Sequence, residues 1–214
     1  MPPKPPSTTK PKSTYIETDT GNKVARRNQL IGTQHIILAG RSVIEPDVCI
    51  RGDLVRTNPS SSTTTTTTPD PSNPSNKPPQ QQQTQYTASV TIGRYTIISR
   101  STLLKPPSRL HSSHLTYSPL KIGDHTLIGP NCVIEAASIG NNVTIGEGAV
   151  VGKMCIVKDW ARVLEGSVVP MGAVVGSGVV VGGRPARVVG DVGDGWGAGE
   201  GEGGDLRGLV RGYG

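Results

Sequence analysis

The sequence predicts an all-β protein shaped as a prism of stacked, three-sided coils. Three observations carry that prediction. Aliphatic residues recur every six positions over long stretches of the chain. Glycine and proline are abundant, with 28 and 18 copies in 214 residues, which excludes a helical bundle because each costs about 1–3 kcal/mol inside a helix. The apolar residues are mostly Val, Ile and Leu, which suit strands, and Phe is absent.

The repeat is clearest from Ile122. Written in sixes, the chain reads IGDHTL, IGPNCV, a five-residue IEAAS, IGNNVT, IGEGAV, VGKMCI, VKDWAR, VLEGSV, VPMGAV, VGSGVV and VGGRPA. The first position is always Ile or Val, and the second is Gly in seven of the eleven. The fifth is small or β-branched in all but the last: Thr126, Cys132, Ser138, Val143, Ala149, Cys155, Ala161, Ser167, Ala173 and Val179. A period of six is neither the 3.6 of a helix nor the 2 of a simple strand. It fits a short strand and a tight turn, three times per coil, giving a triangle of about eighteen residues. First-position aliphatics point inward, and the fifth is small because the interior narrows towards each corner. Gly at the second position suits a turn that needs a permissive backbone. A single coil cannot bury its own apolar side, so stability grows by stacking. Such a narrow core has no room for benzyl rings.

In chain order, residues 1–14 are Pro, Lys, Ser and Thr and are expected to form a disordered tail. Residues 15–56 begin the β-domain, with Leu38, Ile44 and Ile50 as first-position residues and Ser42, Val48 and Leu54 at the fifth. Residues 57–89 form a low-complexity insertion of Thr, Pro, Ser, Asn and Gln, which cannot bury enough apolar area to offset its ordering entropy. Residues 90–188 complete the β-domain, with Ile92 and Ile98 in register and Thr96 and Thr102 at the fifth position. Residues 189–214 form a Gly-rich tail in which only Asp205 to Tyr213 has the makings of a short element.

Composition also bounds the chemistry. No apolar run approaches the roughly 18 residues of a membrane span, and the Pro-rich start argues against a secretory signal. Cys49, Cys132 and Cys155 are odd in number and widely spaced, so they read as free thiols of a reducing cytoplasm or nucleus. The net charge of +6 is unevenly spread. From Pro71 to Gly123 there are six bases and no acid; from Val188 to Gly204 there are four acids and no base. Both stretches fit solvated surface. The basic one also fits a patch for an acidic protein partner, with Arg94, Arg100, Lys105 and Arg109 as candidate contacts. No interleaved aromatics or known motif point to nucleic acid.

The hexads resemble the hexapeptide-repeat left-handed β-helix family, and the resemblance supplies the handedness. The fold class is therefore all-β, a left-handed parallel β-helix with three irregular attachments. The family contains γ-class carbonic anhydrases, acyltransferases and non-enzymatic subunits. Ile50-Arg51-Gly52-Asp53 looks like the Arg-Gly-Asp segment of the anhydrases. Their zinc needs three His with water as fourth ligand, in a pattern like IGHGAxxHGC. Here Ile145 to Cys155 reads IGEGAVVGKMC, so Glu147 and Gly152 stand at two ligand positions, and Lys105 falls near the third. His111 and His114 sit in a Pro/Ser-rich stretch and read as exposed rather than metal-bound. No metal and no cofactor is expected.

The acyltransferases use a His as general base. His125, with Asp124 beside it, is the best candidate, and the loop from Lys105 to Leu120 resembles an excursion over a site. A surface His at a turn is the simpler account, with no catalytic residue assigned.

The closest resemblance is to the dynactin pointed-end subunits. It rests on Tyr15-Ile16-Glu17-Thr18, Gly21-Asn22-Lys23-Val24, Arg26, and Cys49-Ile50-Arg51-Gly52-Asp53-Leu54. Arg100-Ser101 through Pro106-Pro107, Ile122-Gly123-Asp124-His125, the short repeat Ile134 to Ser138, and Val157-Lys158-Asp159 add to it. The resemblance implies a non-catalytic subunit in the cytoplasm and cytoskeleton. It implies pairing with dynactin subunit 6 and contacts with dynactin subunit 4 and the pointed-end actin-related protein. It further implies engagement of dynein–dynactin cargo adaptors and endosomes, without insertion into the membrane.

Overall fold

A computed structural model describes residues 14–55, 88–111 and 114–193. The strands β1 (Tyr15–Glu17) and β2 (Lys23–Ala25) form an antiparallel hairpin. With β3 (Gln29–Ile31) and β4 (Ile36–Leu38), β2 makes the first coil. The second is β5 (Val43–Ile44), β6 (Cys49–Arg51) and β7 (Val90–Ile92). In the third, β8 (Ile97–Ile98) and β9 (Leu103–Leu104) precede a hairpin of β10 (Ser108–His111) and β11 (His114–Tyr117), and β12 (Leu120–Ile122) completes the coil. The fourth is β13 (Leu127–Ile128), β14 (Val133–Ile134) and β15 (Ser138–Ile139). The fifth is β16 (Thr144–Ile145), β17 (Val150–Val151) and β18 (Ile156–Val157). The sixth is β19 (Arg162–Val163), β20 (Val168–Val169) and β21 (Val174–Val175). Then β22 (Val179–Gly183) and β23 (Ala186–Asp191) close the far end as an antiparallel pair.

Each coil gives one strand to each of three faces. The first face runs β1-β2-β5-β8-β13-β16-β19-β22-β23, the second β3-β6-β9-β14-β17-β20, and the third β4-β7-β12-β15-β18-β21. Pairing between coils is parallel throughout, so the fold is the expected left-handed parallel β-helix. The first-position residues stack into three buried columns. They are Ile44, Ile98, Ile128, Ile145 and Val163 on the first face, Ile50, Leu104, Ile134 and Val151 on the second, and Ile92, Ile122, Ile139 and Val157 on the third. Burying each such side chain stabilises the stack by about 1.5–3 kcal/mol.

Most fifth-position side chains are buried at the corners, with Leu54, Ala173 and Val179 half-buried, and their small size is only half of their role. The Ser42 hydroxyl donates to the carbonyl of Gly93 at 2.7 Å, Thr96 to Gly123 at 2.9 Å, and Thr102 to Gly129 at 2.9 Å. Cys132 Sγ donates to Gly146 at 3.1 Å and Cys155 Sγ to Pro170 at 2.9 Å. Each bond ties one coil to the next and satisfies a polar group inside the prism.

Several expectations are corrected. Second-position glycines do not supply left-handed backbone. At Gly123 a Cβ would lie 2.6 Å from the Gly140 carbonyl carbon, so close approach of the next coil excludes a side chain. The left-handed residue is the fourth of the repeat: Arg41, Tyr95, His125, Asn142 and Trp160 take φ of 53–61° at one corner. Ser138 is not at a fifth position. It precedes the inward Ile139 in β15 and is half-buried, while Ala136 in the shortened turn is fully buried. Leu38 does not start the repeat: it ends a first coil that begins at Lys23. The stretch read as a loop before Leu120 holds the β10–β11 hairpin. Finally, VGGRPA is not another coil: the chain turns back after Gly183, and β23 runs to Asp191.

The described residues that flank the insertion meet at the corner between the second and third faces. The Ser89 hydroxyl donates to the Leu54 carbonyl at 2.7 Å, holding its two ends together between β6 and β7. Nearly all of the three segments read as tail, insertion and Gly-rich terminus lies outside the described residues.

Candidate functional site

The basic residues of the acid-free stretch lie on different parts of the prism. Arg94 falls between β7 and β8, at the corner joining the third face to the first. Arg100 falls between β8 and β9, where the first face meets the second. Lys105 follows β9, at the corner leading to the third face, and Arg109 lies exposed on the β10 hairpin. A six-residue step along a three-sided coil carries the chain to the next corner, so charges adjacent in sequence diverge in space. Lys105 is also neutralised, with Nζ 3.0 Å from Glu135 Oε1. The backbone N–H of Arg100 donates to Glu45 Oε2 at 3.0 Å.

The corner between the third and first faces carries the most organised polar surface. Asp124 Oδ1 accepts the backbone N–H of Arg94 at 2.7 Å. Asn141 Oδ1 accepts that of Asp124 at 2.8 Å, and Asp159 Oδ1 that of Asn141 at 2.7 Å. Asp124 therefore closes the turn on the coil below it. The His125 imidazole stacks on Tyr95, with ring centroids 5.0 Å apart and planes at 17°. Arg41 continues the column. Its Nη1 donates to the Tyr95 hydroxyl at 2.6 Å, and its Cζ lies 5.7 Å from the ring centroid. Arg41 and Tyr95 were missed in the sequence, although both occupy the fourth position of the repeat, as His125 does.

The positions corresponding to zinc ligands hold other interactions. Glu147 Oε1 accepts from Asn131 Nδ2 at 3.2 Å, and Lys105 pairs with Glu135. Arg51 grips Asp53 with two bonds, Nε to Oδ1 and Nη2 to Oδ2, each 2.8 Å. The guanidinium holds the Asp53 carboxyl below its ordinary value. Among the described residues, no group of three or more His, Cys, Asp or Glu side chains is placed to hold a metal ion. His111 and His114 are backbone partners in the register of the β10–β11 hairpin.

A cleft of about 500 Å³ opens on the first face, lined by Leu127, Thr144, Glu147, Arg162 and Glu165 among others. The thiols of Cys132 and Cys155 are buried, and desolvation pushes both pKa values up. They are held as neutral donors, which is the opposite of nucleophile activation.

The chain matches the family model described as Dynactin subunit 5 over residues 83–196, just over half of its length. It is 39% identical over 130 residues to Dynactin subunit 5 of Dictyostelium discoideum, covering 61% of this chain and 49% of that relative. The chain thus spans about half the length of the curated relative it matches. Among solved structures it is similar to a hexapeptide transferase family protein of Anaplasma phagocytophilum. That likeness has a TM-score of 0.54 at 18% identity, over 90% of this chain and 88% of the other. An N-acyltransferase of Bacillus cereus gives a TM-score of 0.55 at 11% identity, over 79% and 80%. At these identities the likeness to the transferases is one of fold.

Proposed function

This chain belongs to the dynactin subunit 5 family, and we propose from that premise that it is a non-catalytic structural subunit of the dynactin pointed-end complex. In that role it helps dynein and dynactin engage endosomal cargo on microtubules, in the cytoplasm and on the cytoskeleton. The observation that carries this reading is the family match over residues 83–196, which spans the middle and upper coils. The architecture supports it physically. A β-helix is a rigid prism with flat faces and open-ended coils, and a partner of similar build covers such a face or end. The partners proposed are dynactin subunit 6, dynactin subunit 4, the pointed-end actin-related protein and cargo adaptors.

Within this reading, Arg94, Arg100 and Lys105 act as separate contacts on three corners, and Arg109 as a fourth on the β10–β11 hairpin. A non-catalytic role also accords with His125 serving as a stacking ring and Asp124 as a turn acceptor.

Purification of native complexes through a tag on this chain tests the proposal. Co-purification of the actin-related protein and other dynactin subunits is the expected result. A self-associated protein that binds an acyl thioester, or that retains zinc, overturns it. Charge reversal at Arg94, Arg100, Lys105 and Arg109, one at a time, then reports which corner meets which subunit.

A further inference from the structure

Below the Tyr95–His125 stack, a cleft of about 440 Å³ is lined by Thr20, Ala39, Gly40, Arg41, Arg94 and Tyr95. Two arginines, Arg41 and Arg94, are among its lining residues, and both are exposed. Among the described residues, neither lies in an ion pair, whereas Arg27, Arg51 and Lys105 each face a carboxylate within 3.0 Å. Asp124, on the coil above, commits an oxygen to the Arg94 backbone amide rather than to its guanidinium.

The site is also braced. Arg41 is fixed by its bond to the Tyr95 hydroxyl and by its approach to that ring, and Tyr95 is backed by His125. Both Arg41 and Tyr95 hold left-handed backbone at φ 53°, a cost of about 1–2 kcal/mol for a residue with a side chain. At the next corner the equivalent positions hold Asp47, Ser101 and Asn131 in the lower coils and Gly148 and Gly166 in the upper ones, so the left-handed turn belongs to the repeat. Gly40 keeps the floor open, since a Cβ there would lie 3.1 Å from the Thr20 carbonyl oxygen. Thr20 also lines the cleft, and its hydroxyl accepts from Asn22 Nδ2 at 2.8 Å.

We infer that this cleft binds a phosphomonoester group, with Arg41 and Arg94 as its paired cations. Such a group carries about −1.5 to −2 charges at neutral pH, which two guanidiniums match. Each planar fork donates two parallel N–H bonds to phosphoryl oxygens. A carboxylate offers one charge and leaves the second cation unmatched. The same chemistry is presented by a soluble phosphate ester and by a phosphorylated lipid headgroup. The inference goes beyond the pointed-end reading and does not depend on it.

The test uses the purified full chain, with phenyl phosphate as the soluble probe and acetate as the carboxylate control, followed by calorimetric titration. Phenyl phosphate is expected to bind, and Arg41→Gln and Arg94→Gln are each expected to weaken it about tenfold or more, the loss of a charge-assisted contact. Arg94→Lys keeps the charge without the fork and is expected to fall between. Thermal melts of each variant confirm the fold, since both side chains are exposed. Arg187→Gln, on exposed β23, is the control for general charge. An equal loss in that control, no loss in Arg41→Gln and Arg94→Gln, or acetate binding as tightly as phenyl phosphate would each overturn the inference. Phosphatidylcholine vesicles with and without phosphatidylinositol phosphate separate the sources. Co-sedimentation that needs the phosphorylated lipid and is released by phenyl phosphate identifies the headgroup; soluble binding without co-sedimentation identifies a free ester.

Discussion

The Thr126 hydroxyl donates to the carbonyl of Gly140 across 3.0 Å, from one coil to the next, with Thr126 fully buried. Water cannot replace this bond, so losing the donor costs the carbonyl a partner inside the prism. Thr126→Val is expected to destabilise the fold by about 1–2 kcal/mol. One coil higher the same register holds Val143, also buried. A hydroxyl placed there meets the Lys158 carbonyl as Thr126 meets that of Gly140. Val143→Thr is therefore expected to be near neutral, where an unpaired buried hydroxyl would cost about 1–3 kcal/mol. Chemical denaturation of the two variants checks both. Equal losses would sink the idea of a hydroxyl ladder.

Two glycines separate the effects of space and of backbone conformation. At Gly123 the backbone has no left-handed requirement, but a Cβ would stand 2.5 Å from Asn141 Oδ1 and 2.6 Å from the Gly140 backbone. At Gly148, φ is +63° and nothing lies within 4 Å. Gly148→Ala is expected to cost about 1 kcal/mol, the left-handed penalty. Gly123→Ala forces two coils apart and is expected to cost about 2–3 kcal/mol. Melting temperatures of the two variants give the ranking, and a reversed order contradicts it.

Burial raises the thiol pKa of Cys132 and Cys155. The folded chain therefore keeps these protons to higher pH than the unfolded chain, whose thiols titrate near 8.5. The stabilisation is complete below that value and is lost as pH rises towards the folded values. Denaturation midpoints at neutral and alkaline pH are expected to fall more in the wild type than in Cys132→Ser/Cys155→Ser, which keeps a small donor at both corners. Equal falls would show that the thiols contribute no pH dependence.

What the sequence revealed, and what it hid, follows from the geometry of a three-sided coil. Ile128 and Ile145 were legible as inward because size and period suffice to place them. Thr126 was legible as small, but its donor role needs the Gly140 carbonyl, which belongs to another coil. Gly123 invited a turn explanation because its true constraint, the backbone of the next coil, is invisible locally. Arg94, Arg100 and Lys105 look like one patch in a line of text and are parted by the corners. Conversely, Arg41 and Tyr95 are 54 positions apart, with the insertion between them, yet they touch. The β10–β11 hairpin did leave a local trace: Leu110-His111 mirrors His114-Leu115, and those residues pair.

The insertion gives the last prediction. Leu54 and Ser89 lie at its base and are joined by a 2.7 Å bond, so β6 and β7 remain consecutive strands of one coil. The coil geometry is therefore specified on either side of the insertion. Closing a flexible loop costs about 0.6 kcal/mol per doubling of its length. Replacing residues 57–86 with a short Gly/Ser linker shortens the connection roughly fourfold, so closure entropy predicts a gain of about 1 kcal/mol. Ser89→Ala in the same background removes the closing bond and is expected to give back up to about 1 kcal/mol. Urea denaturation of the three proteins tests this. A shortened chain that lost several kcal/mol would show that the segment packs on the prism and that the Leu54–Ser89 junction is not its boundary.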